Sequence, residues 1–161
     1  MAEVLSVTHQ DKRTATVGTS STGSRGEKLA AEFIESEGFR VVMANFRAPI
    51  GRNSKGVQVT GEIDIVALEG ETLCFIEVKT RRSREFADPI SAVDTRKQRQ
   101  ITRTARIYKR MFGVFDMKHR FDVVTVVLEK GLEPEIELIR DYWSESKFKK
   151  PRWNGDISQH F

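Results

Sequence analysis

Residues 61–79 read GEIDIVALEGETLCFIEVK, and this stretch decides the fold. It has the pattern of two β-strands joined by a tight turn: 61–68, a turn at Glu69-Gly70, then 71–79. Side chains along a strand alternate between faces. Glu62, Asp64, Val66 and Leu68 are expected on one face, and Gly61, Ile63, Ile65 and Ala67 on the other. On the second strand Leu73, Phe75, Glu77 and Lys79 share a face, opposite Cys74, Ile76 and Val78. A symmetric turn pairs Leu68 with Glu71, which sets Asp64 opposite Phe75 and Glu62 opposite Glu77. Asp64, Glu77 and Lys79 then converge on one face with Glu62 close by, the first two as diagonal neighbours roughly 7–8 Å apart.

A carboxylate on an apolar strand is costly unless something partners it, and two together repel. A divalent cation between them would offset both problems, with Lys79 aimed at the same point. A metal to polarise a phosphate and a lysine to meet developing negative charge are the parts of phosphodiester hydrolysis. Two other arrangements use the same residues. The acids could sit at solvated strand ends, or Lys79 could neutralise them in an ion-pair cluster.

The chain has 161 residues, enough for one domain with a proper core. Its net charge of +4 favours an anionic partner such as nucleic acid. A single cysteine, Cys74, excludes an intramolecular disulfide and a cysteine-based zinc site. No apolar run approaches the length of a membrane span, and the first 20 residues lack the apolar core of a secretory signal. A cytoplasmic protein without a membrane partner is expected.

Outward from the hairpin, residues 1–23 read as a flexible Ser/Thr/Gly-rich lead-in. Residues 24–37 read as a helix, with Ser24 and Glu27 as a capping box and Gly38 as the stop. Its inward face carries Gly26, Ala30, Phe33 and Ile34. Residues 39–46 form a strand and 47–58 a basic loop. A second helix is expected from Pro89 to about Met111, with Lys97, Ile101, Ala105, Tyr108 and Phe112 inward. Opposite runs a stripe of Arg96, Arg99, Arg103, Arg106 and Arg110, suited to phosphate contact or simply solvated. Strands follow at 121–129 and 135–140. The domain is thus expected over 24–140, with 141–161 a basic, aromatic tail. In that tail Trp143, Phe148 and Trp153 could stack on bases or pack back on the domain.

Helix 24–37 with Glu27, then GEIDIVA, then FIEVKTR at 75–81, resembles the PD-(D/E)XK nuclease superfamily. Within it the chain resembles the YraN family of predicted endonucleases, distantly similar to archaeal Holliday-junction resolvases. RGEKLAAEFIESEGFRVVMANFR at 25–47 and RFDVV at 120–124 add to the likeness, which spans most of 25–128. It implies an α/β, restriction-endonuclease-like αβββαβ core: a central mixed sheet flanked by helices. It implies Asp64, Glu77 and Lys79 as catalytic, and Glu27, Asp64, Glu77 and the Val78 carbonyl as metal ligands. Arg81, Arg82 and Lys97 become candidate nucleic-acid contacts. The chain departs from the family pattern in an insertion at 50–60 and in Ala87 where a glycine is usual.

The expectation is therefore a metal-dependent endonuclease acting on DNA, branched or otherwise structured DNA included. Hard carboxylate ligands favour Mg2+ or Mn2+. A homodimer is what the resemblance to resolvases implies. The rivals are a non-catalytic nucleic-acid-binding module that keeps the fold, and a protein-interaction domain built around an ion-pair cluster.

Overall fold

The computed structural model describes residues 21–84 and 92–149. Its elements are α1 (Ser21–Ser36), β1 (Arg40–Arg52), β2 (Gln58–Glu69), β3 (Thr72–Arg81), α2 (Thr95–Met111), β4 (His119–Val127) and β5 (Glu135–Trp143), then a 3-10 turn (Glu145–Phe148). The five strands make one sheet in sequence order. Only β3 and β4 run parallel. A parallel pair needs a crossover, and the segment carrying α2 supplies it. The expected α/β class, a mixed sheet flanked by helices, is what forms.

Two apolar cores lie on the two faces of the sheet. Ile101, Ala105 and Tyr108 of α2 pack with Phe46, Val66, Phe75 and Phe121. Ala30 and Ile34 of α1 pack with Ile65, Ile76, Val124 and Val126. Helix α1 comes close to β3 because Gly26 has no side chain. A Cβ there would overlap Thr80 Oγ1 and lie 2.9 Å from Thr80 Cβ. Cys74 is buried, and burial pushes its thiol up to about 12, so it is an inert core residue. Among the described residues no helix is long and apolar enough to cross a membrane.

Several expected boundaries move. Residues 1–20 of the expected lead-in lie outside the described residues, but 21–23 form the first turn of α1. Ser24 and Glu27 are therefore inside the helix, and no capping box forms. The Thr22 hydroxyl accepts from Arg82 at 3.1 Å, tying that extra turn to the end of β3. The basic loop is mostly strand. β1 runs on to Arg52, β2 begins at Gln58, and Asn53 Oδ1 turns the chain by accepting from the Lys55 and Val57 N–H groups at 2.9 Å. The inserted residues thus lengthen a hairpin. Residues 92–94 are not helical; α2 starts after Asp94, whose carboxylate accepts from Lys97 N–H at 2.8 Å. Pro89 lies outside the described residues. Phe112 closes α2 and is exposed instead of facing inward.

The expected tail does not begin at 141. β5 continues to Trp143, which is buried, stacks on Phe121 at 4.8 Å and donates from Nε1 to Thr102 Oγ1 at 3.0 Å. Trp143 is a core residue and has no face left for a base. Phe148 packs on the same core. Trp153 lies outside the described residues.

Candidate active site

The site forms where β2 and β3 part. Their ladder pairs Glu69 with Thr72 and ends at Ile65 with Ile76, two residues displaced from the expected register. A shift of two leaves the side chains of the paired stretch, Ile65 to Glu69 and Thr72 to Ile76, on their expected faces. It also brings Asp64, one step past the last pair, level with Glu77, where the expected register had made them diagonal. Beyond that point β2 stays with β1 and β3 with β4. The Val78 N–H, which would otherwise lack a partner, donates to Asp64 Oδ2 at 2.8 Å.

Strict alternation along β2 also breaks at Asp64. Ile65 and Ala67 pack on the α1 side, whereas Ile63 packs on the α2 side. Gly61 faces α2 as well, since a Cβ there would overlap Thr104 Oγ1. At the level of Asp64, between the pairs Ala44–Ile65 and Phe46–Ile63, β1 carries Asn45 with φ at 53°. That left-handed residue marks where the strand pair changes phase. Asp64 therefore sits between the two faces of the sheet and can meet groups from both helices.

From the α2 side comes Lys97, whose Nζ is 3.4 Å from Glu77 Oε1. From the α1 side comes Glu27. Burial, then the charges of Asp64 and Glu62, push its carboxyl above the usual range, while a hydrogen bond from Asn45 pulls it down. Glu77 is 8% exposed, and its Oε2 is buried with no hydrogen-bond donor among the described residues. Burial first, then the Asp64 charge, push the Glu77 carboxyl up to about 8. Asp64 is also raised, by burial, against the pull of the Val78 N–H. Two carboxylates so placed repel each other when both are ionised.

Lys79 is exposed and has no ion-pair partner among the described residues. With Glu77, Arg81 and Lys97 it lines a cleft of about 440 Å3, closed on one side by Ala92, Val93 and Asp94. Glu62 lies aside, paired with Arg47 at 3.0 Å. Arg82, a candidate nucleic-acid contact from the sequence, lines a different cavity with Thr22, Arg25 and Lys130. The structure thus gathers Asp64, Glu77, Lys79, Arg81 and Lys97, sets Glu27 within electrostatic reach, and leaves Arg82 outside. Asn45 was missed from the sequence; its signal was an Asn between apolar strand residues, where a φ above zero is tolerated.

The donor set suits a hard divalent cation. It offers two carboxylates, an orphaned buried oxygen, and charge repulsion that a cation would relieve. Among the described residues no three His, Cys, Asp or Glu side chains close on one point, so Glu27 stands back from the pair.

An α/β domain with an acidic pair and a lysine at a strand fork is the class that fold and site define. A family model, described as "Uncharacterised protein family UPF0102", matches residues 26–126. A UPF0102 protein of Renibacterium salmoninarum is 40% identical over 118 residues, covering 73% of this chain and 92% of that one. Another, from Pelobacter propionicus, is 42% identical over 128 residues, covering 78% and 84%. One from Geobacter sulfurreducens is 41% identical over 117 residues, covering 73% and 84%. The chain belongs to UPF0102, the YraN family whose motifs the sequence carries. A solved structure called SSO0001 aligns with 80% of the chain and 56% of its own length, at 14% identity and a TM-score of 0.34.

Proposed function

We propose that this protein is a metal-dependent nuclease that hydrolyses phosphodiester bonds in DNA. One observation carries the reading: Glu77 Oε2 is buried beside a second carboxylate with no hydrogen-bond donor among the described residues, at the rim of a cationic cleft. Asp64, Glu77 and the Val78 carbonyl, with Glu27 behind them, would hold Mg2+ or Mn2+. Such an ion supplies Lewis acidity toward the scissile phosphate and the attacking water.

The chain's own residues supply the rest. The exposed Lys79 ammonium meets the charge that develops on the phosphate. Arg81 lines the same wall and orients the phosphate against it. Lys97 holds the Glu77 carboxylate in place from α2. The Asp64 bond to Val78 N–H fixes the first carboxylate against the backbone of the second.

The second reading, a binding module that keeps the fold, draws on the Lys97–Glu77 ion pair, which already neutralises one acid. The two part in a cleavage assay on labelled linear duplex, single-stranded and four-way-junction DNA, with Mg2+, Mn2+ or EDTA. The nuclease reading expects metal-dependent scission, reduced about 10²–10³-fold in Lys79→Ala. Scission at the same rate in Lys79→Ala would overturn the assignment of Lys79. Salt-sensitive binding without scission of any of the three would establish the binding module.

A further inference from the structure

Helix α2 carries cations on more than the side that meets Glu77. Arg99, Arg103 and Arg106 line a second groove, of about 390 Å3, with Lys147, Phe148 and Lys149 of the 3-10 turn. Five cationic side chains thus surround one cavity. Among the described residues only Arg106 of the five meets an acid, Glu145 at 2.6 Å, and Glu145 is shared with Lys109 and His119. Arg103 and Lys149 have no ion-pair partner among the described residues. The groove is also organised. Phe148, half-buried against the core, sits under both the Arg99 guanidinium at 5.5 Å and the Lys147 ammonium at 5.8 Å.

A single side chain joins this groove to the cleft. Lys147 Nζ donates to Gln98 Oε1 at 3.0 Å, and Gln98 Nε2 donates to the carbonyl of Val93, which lines the cleft, at 2.8 Å. Along α2 the groove arginines Arg99, Arg103 and Arg106 extend over about 10 Å at helical rise, on the opposite side of the helix from Lys97. That is a track for a polyanion with regularly spaced charges, linked to the cleft through Gln98.

We propose that the groove between α2 and the 3-10 turn binds the phosphodiester backbone of the nucleic-acid substrate, on the strand leading away from the scissile phosphate. The proposal rests on the nuclease reading for its substrate. Arg99, Arg103 and Lys149 are the principal contacts, and Phe148 fixes the first of them.

The test is equilibrium binding of a fluorescently labelled DNA duplex by the full chain, in EDTA so that no strand is cut, across a range of salt. Wild type is compared with Arg99→Gln/Arg103→Gln/Lys149→Gln. A charge-matched control, Lys28→Gln/Arg40→Gln/Lys118→Gln, alters exposed cations that do not line the groove. Thermal midpoints of all three establish that each is folded. The groove variant is expected to bind at least about tenfold more weakly, with a log–log salt slope shallower by about 2 to 3, near 0.9 for each phosphate no longer neutralised. The control is expected to keep most of both. Equal losses in the two variants, or a groove variant that binds like wild type, would overturn the proposal while leaving the nuclease reading standing. Loss of binding confined to the groove variant, in a protein that cuts nothing with metal, would support the groove and sink the nuclease reading instead.

Discussion

Replacing Glu77 by Gln should stabilise the metal-free protein, and the gain should depend on pH. The carboxyl moves from 4.5 to about 8 on folding, because the fold buries it beside Asp64. Below pH 4.5 the acid is protonated in both states and costs nothing. As pH rises from 4.5 toward 8 the folded protein retains a proton that the unfolded chain releases, so stability falls with pH. At 1.36 kcal/mol per unit, the cost reaches about 3 kcal/mol near pH 7. The amide of Glu77→Gln carries no charge to bury and can donate to Asp64, so this cost disappears. The Lys97 ammonium, 3.4 Å from Glu77 Oε1, already enters the value of about 8 by lowering it, so the variant loses nothing further on its account. A net gain of about 3 kcal/mol is expected near neutrality, shrinking toward zero below pH 5. Urea unfolding in EDTA at several pH values reads it directly as the shift in midpoint at constant slope. A variant less stable than wild type near pH 8, or a difference unchanged between pH 5 and 8, would refute the reasoning.

Three further outcomes follow from the packing. Trp143→Ala removes a ring stacked on Phe121 and hydrogen-bonded to Thr102, and should cost about 3–5 kcal/mol in urea unfolding. Gly26→Ala drives a Cβ into Thr80. The strain of about 1–3 kcal/mol outweighs the helix-propensity gain of about 1, and adding Thr80→Ala should recover part of the loss in midpoint. Glu69 is held below the usual carboxylate range, chiefly by its bond from Arg140 and then by Arg120. A depressed acid stabilises the fold above its unfolded value and loses that contribution as pH falls through its folded one. Acid titration of thermal midpoints should therefore show a loss below pH 4.5 that is smaller in Glu69→Gln.

The hairpin, its two acids and the following lysine were legible because period-two hydrophobicity assigns faces without needing contacts. Register was not. It depends on which turn position Gly70 takes. With φ at 59° Gly70 occupies the first central position of a Gly70-Glu71 turn, whereas Glu69-Gly70 would have put it at the second. The displacement of two preserved faces and so preserved the site, while changing the neighbour of Asp64 from Phe75 to Glu77. The phase change at Asp64 was hidden because it depends on Asn45, a residue of another strand. The end of β5 was illegible for a similar reason. Asp141 interrupts the alternation with φ at 53°, and the strand survives because the Asp141 N–H finds Oδ1 of the buried Asp122 at 2.8 Å. The start of α2 was readable in principle: Asp94 followed by Lys97 is an ordinary cap, outweighed in the sequence by the earlier Pro89.

The most direct measurement is calorimetric titration of Mn2+ into the protein near pH 7, in two buffers of different ionisation enthalpy. If the Asp64–Glu77 pair holds a proton in the place of a cation, binding should expel about one proton per ion. Binding should also be lost in Asp64→Asn. Binding that releases no proton, or that survives Asp64→Asn unchanged, would contradict the account.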